Sequence, residues 1–231
     1  REDTAALGSR SMPLCMRHLH KSLRSNHKLK HQGRMQYGLF LKGAGLTLED
    51  AHRFFEMEYT KIMSSADYKK RYSYGWRHMY GKEGKRTDYT AYGCMQIIQG
   101  TPPLPGQAHG CPFRHFGEQQ LSAMLGQMRI TGADRENIVQ AAREHHYQVA
   151  CYRHFEVTHR DLISKVGTAR DLDTVGNHPN SYMAASMELH SRLENGKEGS
   201  GAARKRTEAP PASPTPTPAT ATAPATATAP A

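Results

Sequence analysis

Long apolar runs are missing from this 231-residue sequence. No segment approaches the roughly 18 consecutive apolar residues that a membrane-spanning helix needs, and the N-terminal stretch REDTAALGSR lacks the apolar core of a signal peptide. We therefore expect a soluble intracellular protein with no membrane partner. Because the sequence starts with Arg1 rather than Met, we also expect a fragment of a longer chain or a processed product.

Large apolar residues are almost absent from residues 194–231, a segment that holds seven of the 13 prolines and repeats Ala, Thr and Pro. Such a composition cannot bury a core, so we predict that this tail is disordered. The rest of the chain has the length of one ordinary domain. The predicted organisation is an N-terminal flank at 1–12, one folded domain at 13–193 and the tail at 194–231.

Acidic residues are in the minority, since 21 Asp and Glu face 31 Lys and Arg, for a formal net charge of +10. The tail has four basic and three acidic residues and supplies only +1 of this charge, so the basicity belongs to the folded part. A basic domain favours an anionic partner, of which nucleic acid is the commonest. The alternative at this point is a soluble protein that happens to be basic.

Strand signals are few and helical spacing is frequent. Apolar residues spaced by four, three and four predict a first helix that ends at Gly33, with a basic face opposite; the apolar residues are Met12, Met16, Leu19 and Leu23, and the basic ones Arg17, Lys21, Arg24, Lys28 and His31. Thr47 and Asp50 resemble a capping box that starts a second helix. Its predicted apolar face consists of Leu48, Ala51, Phe54, Phe55 and Ile62.

Further helices are predicted at residues 90–99, 118–128 and 133–159. Residues 72–90 are rich in Tyr, Gly, Lys and Arg and show no helical period, so we predict a long exposed loop there. Residues 106–117 are predicted to be irregular. The predicted fold class is mostly α-helical, with long irregular loops and a disordered C-terminal tail.

Cysteine is scarce, and the four that occur, Cys15, Cys94, Cys111 and Cys151, are separated by 78, 16 and 39 residues. Disulfides are a weak interpretation for an intracellular chain. Zinc sites usually use paired Cys-x-x-Cys knuckles, which this sequence lacks. A four-iron cluster can take one thiolate from each of four distant segments. The spacing alone leaves three alternatives open: unrelated buried thiols, a zinc site or an iron–sulfur cluster.

The 14 histidines are further candidates for metal ligands. The closely spaced pairs are His18 with His20 and His145 with His146. In a basic helical domain, a histidine is more often a surface or phosphate-facing side chain than a ligand. We therefore include no histidine in the predicted metal site.

Five long motifs resemble one known family. They are PLCMRHLHKSLRSNHKLKHQGRMQYGLFLKGAGLTLEDA, YSYGWRHMYGKEGKRTDYTAYGC, HGCPFRH, HHYQVAC and NHPNSY. In this order, over residues 13–183, they resemble the C-terminal iron–sulfur domain of the eukaryotic DNA primase large subunit. The resemblance implies a single mostly helical domain folded around a [4Fe-4S] cluster, held by Cys15, Cys94, Cys111 and Cys151.

The resemblance also implies a function. A domain of this family binds the 5′-triphosphate end of the RNA primer on its DNA template, in the nucleus, and does not itself polymerise. Catalysis is expected in the primase small subunit, and the large subunit supports initiation, limits primer length and helps hand the primer to the DNA polymerase α complex. The alternatives are an iron–sulfur electron-transfer protein and a structural zinc module.

The residues that the resemblance assigns to nucleic-acid binding lie in two segments. They are Lys28, Lys30, His31, Arg34, Gln36, Tyr37 and Lys42 in the first, and Tyr72 and Tyr74 in the second. We expect Arg34 and Lys42 to converge near the end of the first helix, with glycines allowing close backbone approach. We expect Tyr72 and Tyr74 to alternate in an extended segment and so to point the same way. Lys28 and Lys30 replace Arg or His of the family, which keeps the charge but loses a bidentate contact.

Overall fold

Helices dominate the computed structural model, which describes the backbone of residues 10–205 and the side chains of residues 10–196. In chain order they are α1 (Leu14–Asn26), α2 (His31–Gly43), α3 (Leu48–Tyr59), α4 (Ser65–Met79), α5 (Cys94–Gln99), α6 (Pro112–His115), α7 (Glu118–Gln127), α8 (Gly132–Arg143), α9 (Tyr147–Val166) and α10 (Pro179–Lys205), with a 3-10 helix at Leu172–Thr174. The described part contains no β-strand beyond an isolated bridge between Tyr80 and Asp88. The predicted mostly helical fold class is confirmed.

Contacts divide the chain into one unit at Arg1–Glu194 and another at Asn195–Ala231. The first unit contains all four cysteines and the basic residues of segment 27–34. α10 continues to Lys205, past the predicted start of the tail at 194. The rest of the predicted tail, 206–231, and most of the predicted flank, 1–9, lie outside the described residues. None of the helices that the structure describes is long and apolar enough to cross a membrane.

The first helix is shorter than predicted. α1 ends at Asn26, His27 takes a left-handed conformation with φ of 52°, and α2 begins at His31. The prediction of one helix up to Gly33 is wrong because Leu29, six residues after Leu23, breaks the spacing of three and four and turns into the core. Gly33 belongs to α2, where an added Cβ would lie 3.1 Å from Leu19. This glycine therefore allows α2 to pack closely on α1.

The Thr47 cap of the predicted capping box of α3 is confirmed, since the Asp50 backbone N–H donates to the Thr47 side chain at 3.1 Å. The Asp50 carboxylate accepts from the Thr47 hydroxyl at 2.9 Å. Ile62 was assigned to the apolar face of this helix, but α3 ends at Tyr59 and the Ile62 side chain is half exposed. A single turn of chain leads from there to α4.

The predicted exposed loop at 72–90 is wrong in its first half. Ser64 caps α4 by accepting from the Asp67 N–H at 3.0 Å, and the helix continues to Met79. Its buried face is mostly aromatic, at a spacing of four, four and three, and consists of Tyr68, Tyr72, Trp76 and Met79. The sequence does carry a helical period here, in large aromatic residues. Likewise, the predicted irregular segment 106–117 contains the short helix α6.

Three apolar clusters form the core. The first lies among α1 to α4 and includes Leu19, Phe55 and Trp76. The second lies among α6, α7, α8 and the start of α9. The third joins α9 to α10 around Phe155 and Tyr182. α1 lies at a boundary, because Leu14 belongs to the second cluster whereas Met16, Leu19 and Leu23 belong to the first.

Candidate metal centre and nucleic-acid interface

The four cysteines come from four separate helices, each near its N-terminal end. Cys15 is the second residue of α1, Cys94 the first of α5, Cys111 precedes α6 as its N-cap, and Cys151 lies in the second turn of α9. All four are free thiols and are half-buried. No two of them share a turn, as the sequence spacing requires.

One cavity is lined by all four cysteines. Its remaining wall is mostly apolar and includes Pro13, Ile97, Phe113 and Tyr182. Cys15 and Cys111 pack on the first core cluster, Cys111 and Cys151 on the second, and Cys151 on the third. The cavity therefore lies where the three clusters meet, so that its contents affect all of them.

The electrostatics of the cavity disfavour free thiolates. Burial raises the pKa of Cys94 to about 12 and that of Cys111 to about 11. Burial, and then the neighbouring thiols, raise the pKa values of Cys15 and Cys151 well above their usual range. A bound metal requires thiolates. Loading this cavity with metal would therefore release protons and would need the positive charge of the metal to hold the thiolates together.

Among the residues that the structure describes, no group of three or more His, Cys, Asp or Glu side chains could hold one metal ion. The closely spaced histidines have other contacts: His18 packs edge-on against Phe116, His20 bonds Tyr37, and His145 bonds Tyr147.

A second candidate region is the connection between α1 and α2. We call residues 27–34 the basic elbow, because the chain turns there and five of its eight residues are Lys, Arg or His. Lys30 and His31 are exposed and Lys28 is half-buried. Within the described part of the chain, no hydrogen bond or ion pair engages these three side chains. All three side chains are therefore available to an anion, and the two lysines bring positive charge.

The N-terminus of α2 lies within the basic elbow. Lys30 is its N-cap residue and offers no side-chain cap, and the first turn carries no acidic residue. The first backbone N–H groups of a helix have no partner inside the helix, and the helix dipole makes this end positive. The open N–H groups and the free side chains therefore occupy the same short segment.

Arg34 and Tyr72 are far apart in sequence but are brought together. The Arg34 guanidinium carbon lies 5.0 Å from the centre of the Tyr72 ring, and one guanidinium nitrogen donates to the Leu29 carbonyl at 2.8 Å. Tyr72 is nearly buried, with its ring against Tyr59 and Tyr68. Arg34 is therefore a cation supported from behind by an aromatic surface.

Tyr72 and Tyr74 do not alternate in an extended segment. Both belong to α4, where residues i and i+2 lie about 200° apart around the axis. Tyr72 faces the core, whereas Tyr74 is 56% exposed and stacks on His78. The predicted parallel orientation is wrong because the segment is helical.

The predicted convergence of Arg34 and Lys42 is not observed. They lie at opposite ends of α2, eight residues or about 12 Å apart along the axis. Lys42 donates to the carbonyls of Met79 and Tyr89, at 3.0 and 2.6 Å, and to the Asp88 carboxylate at 2.6 Å. Its ammonium thus has three acceptors and fastens the segment after α4 to α2.

Gln36 and Tyr37 face inward from α2. The Tyr37 ring is fully buried and its hydroxyl lies 2.7 Å from His20 Nδ1, and burial raises its pKa. The Gln36 amide accepts from the Gly110 N–H at 2.7 Å and donates to the Gly110 carbonyl. Gly110 precedes Cys111, so Gln36 links the helix of the basic elbow to the wall of the cysteine cavity.

Comparison with known families bears on the identity of the fold. Residues 5–183 match the family described as the C-terminal domain of the large subunit of eukaryotic and archaeal DNA primase. The chain belongs to this primase large-subunit family. The resemblance seen in the sequence is thereby confirmed.

Curated relatives agree with this family assignment. The probable DNA primase large subunit of Arabidopsis thaliana is 47% identical over 188 residues, which cover 81% of this chain and 39% of the plant protein. The DNA primase large subunits of Mus musculus and Homo sapiens are each 45% identical, over 84% and 83% of this chain and 36% of their own lengths. The chain thus spans little more than a third of the primase large subunits that it matches.

Two residues that support the basic elbow were missed by the sequence analysis. Glu58 and Tyr59, at the end of α3, contact the segment from Arg24 to Leu29. A signal was present, since Glu58 falls between Phe55 and Ile62 on the predicted apolar face. A carboxylate at a buried position indicates a cation opposite it, and the sequence could have shown that much, although not which cation.

Proposed function

We propose that this domain binds the 5′-triphosphate end of an RNA primer on its DNA template, as part of a DNA primase large subunit. The observation that carries the proposal is the basic elbow, where the free side chains of Lys28, Lys30 and His31 surround the uncapped N-terminus of α2. Backbone N–H groups at a helix N-terminus and mobile cations together suit phosphate groups.

Arg34 would add directional recognition to this charge. Its planar guanidinium can hold two phosphate oxygens at once, whereas a lysine acts as a point charge. The contact with Tyr72 limits the orientations of the guanidinium and leaves it half-buried. Tyr74, exposed on α4, is available to stack on a base or contact the sugar–phosphate backbone.

We further propose that the domain is a non-catalytic part of its complex. Primase large subunits are generally the non-catalytic partner, and we assign primer synthesis to the small subunit. By holding the primer end, the domain would support initiation, limit primer length and help hand the primer to the DNA polymerase α complex. These roles place it in the nucleus.

The cysteine cavity is proposed to hold a [4Fe-4S] cluster through Cys15, Cys94, Cys111 and Cys151. The proposal is supported by the four thiols, which come from four separate segments and line one mostly apolar cavity. When bound, the cluster would cross-link the helices from which the four thiols come, α1, α5, α6 and α9. An anaerobic absorption spectrum with iron and sulfide analysis tests the assignment. About four irons and four sulfides per chain with a broad visible band are expected, whereas a colourless zinc-loaded protein would contradict it.

A titration of matched primer–templates tests the binding function. Two duplexes with the same sequence, one with a 5′-triphosphate primer and one with a 5′-hydroxyl primer, are titrated at two salt concentrations. We expect tighter binding of the triphosphate form, and a steeper dependence of its affinity on salt, because more phosphates release counterions. Equal affinities would leave only a non-specific basic surface and would overturn the proposal.

A further inference from the structure

We propose that Glu58, an acidic residue that no nucleic acid needs to touch, positions the basic elbow for phosphate binding. The inference rests on the proposed function, because it concerns the same site. Removal of a negative charge from a basic interface normally strengthens the binding of an anion. If Glu58 positions the elbow, removal of its charge should weaken that binding.

Glu58 contacts three basic side chains while it is itself almost fully buried, with 2% of its side chain exposed. One carboxylate oxygen pairs with Arg24 at the end of α1, and the other lies 2.9 Å from His27 Nδ1. Lys61 contacts both oxygens, at 3.0 and 3.1 Å. The carboxylate thus holds the last turn of α1 and the first residue of the basic elbow against the end of α3.

Tyr59 continues this support at the next residue. Its hydroxyl accepts from the Leu29 N–H at 3.1 Å and lies 3.3 Å from the Leu29 carbonyl, to which it can donate. The same carbonyl accepts from Arg34 at 2.8 Å. Leu29 lies between Lys28 and Lys30, so both proposed phosphate-binding lysines flank a backbone that Tyr59 and Arg34 fix.

The turn at His27 needs the support of Glu58 and Tyr59. His27 adopts a left-handed φ of 52°, a conformation that is unfavourable for a residue with a side chain. Its bond to Glu58 and the contacts at Leu29 hold the turn in place. Without them, α1 could continue or fray, and Lys28, Lys30 and His31 would no longer lie beside the N-terminus of α2.

Burial alone would raise the pKa of Glu58, but the hydrogen bonds from His27 and Lys61 and the charge of Arg24 outweigh it and hold the pKa below its usual value. Glu58 is therefore ionised at neutral pH. Its carboxylate is committed to three partners of the protein and does not face the bound anion.

The test compares Glu58→Gln and Tyr59→Phe with the control Glu56→Gln. Both Glu→Gln changes remove one negative charge from α3, but Glu56 pairs with Lys69 and Ser65 and does not contact the elbow. Tyr59→Phe retains the ring and removes only the hydroxyl. Circular dichroism shows whether each variant is folded. If Glu58→Gln does not fold, Tyr59→Phe still tests the inference.

Two quantities are measured on each variant. The first is the affinity for 5′-triphosphate and 5′-hydroxyl primer–templates, and the second is amide hydrogen exchange of residues 27–31 in the free protein. We expect Glu58→Gln, which removes a charge-assisted contact, to reduce the preference for triphosphate by about tenfold. Tyr59→Phe, which removes a neutral hydrogen bond, should reduce it by about fivefold. Both variants should speed exchange in the elbow. Glu56→Gln should bind as well as the wild type or slightly better.

The outcomes separate this inference from the proposed function. If the wild type prefers triphosphate and the folded Glu58→Gln and Tyr59→Phe variants bind as Glu56→Gln does, the positioning role is overturned and the proposed function stands. If the wild type shows no preference, the proposed function fails, and exchange decides whether Glu58 and Tyr59 fix the elbow at all. Unchanged exchange in both variants overturns that structural role.

Discussion

The guanidinium of Arg34 on α2 lies over the ring of Tyr72 on α4, 5.0 Å from its centre. The ring is packed from behind by Tyr59 and Tyr68 and is nearly buried. This relationship makes Tyr72 a support for Arg34. The Tyr72 ring should therefore contribute more to primer–template binding than the Tyr72 hydroxyl, for which no hydrogen bond is found within the described residues.

Substitution of Tyr72 tests the support. Tyr72→Phe keeps the ring and should retain wild-type affinity for a triphosphate primer–template. Tyr72→Leu removes the cation–π contact and should weaken binding by about 1 kcal/mol, or about fivefold. A Tyr72→Leu variant that melts like Tyr72→Phe and binds equally well would show that Arg34 needs no aromatic support.

Lys42 is expected to act on stability. Lys42→Met keeps the aliphatic stem but leaves three acceptors, the Met79 and Tyr89 carbonyls and the Asp88 carboxylate, without their ammonium. Unfolding free energy from urea titration should fall by roughly 2 kcal/mol, and amide exchange should rise in residues 80–89. Lys85→Met, an exposed lysine of the same segment, serves as the control and should change neither. Equal stability of the two variants would contradict this role.

The cysteine cavity couples metal to folding. Cys111→Ser and Cys151→Ser should bind little iron, lose helix and melt at lower temperature, because the cavity lies where the three core clusters meet. Removal of metal from the wild type by a chelator should give a similar loss. In the metal-free protein, either serine substitution should then lower the melting temperature only slightly further. A variant with wild-type circular dichroism and melting temperature would refute the coupling.

Two buried histidines join α9 to α10. His159 Nε2 lies 2.7 Å from the Ser186 hydroxyl, and Nδ1 lies 2.9 Å from the Phe155 carbonyl. His154 Nδ1 lies 3.0 Å from the Tyr182 hydroxyl. The titratable or charged groups that face the pair are Tyr182, His190 and Arg17. Burial lowers the pKa of His159 to about 4 and that of His154 to about 3.

These histidines predict that the fold loses stability in mild acid. Each is neutral when folded and has an ordinary pKa near 6.5 when unfolded, so the unfolded chain gains protons first as the pH falls. Their contribution is complete above pH 6.5 and is lost progressively below it, by about 2 kcal/mol for His159 at pH 5. His159→Phe should remove about that much of the decrease in unfolding free energy between pH 7 and pH 5. His146→Phe, at an exposed position, should leave it unchanged; equal slopes for the two variants would contradict the prediction.

The predicted elements that the structure confirms are those with complete local signals. The Thr47 cap of α3 needs only two residues in one turn. The helix predicted at 90–99 ends before Gly100 as predicted, but it begins only at Cys94, because Gly93 lies outside the helix as its N-cap. α4 was missed because its period is carried by Tyr68, Tyr72 and Trp76 among basic residues, a composition that also occurs in exposed loops. Weighing aromatic residues as core would have recovered it.

The sequence could predict more of the cysteine site than of the basic elbow. The spacing of the cysteines left three alternatives, and the family resemblance rather than the spacing favoured a cluster. The elbow at His27 could not be read from local sequence, because a left-handed histidine is held there by Glu58 and Tyr59, more than 30 residues away. Arg34 and Tyr72 meet only through the packing of α2 on α4.

The central claim is that the basic elbow recognises the 5′-triphosphate, with Arg34 as its directional contact. The most direct measurement compares wild type, Arg34→Ala and the double variant Lys69→Ala/Lys70→Ala in titrations with matched 5′-triphosphate and 5′-hydroxyl primer–templates at two salt concentrations. We predict that Arg34→Ala loses most of the preference for triphosphate and that its salt slope falls by about 0.9 for each phosphate that the variant no longer neutralises. The double variant changes basic residues of α4 outside the elbow and should keep the wild-type preference. A folded Arg34→Ala variant that keeps that preference would contradict the account.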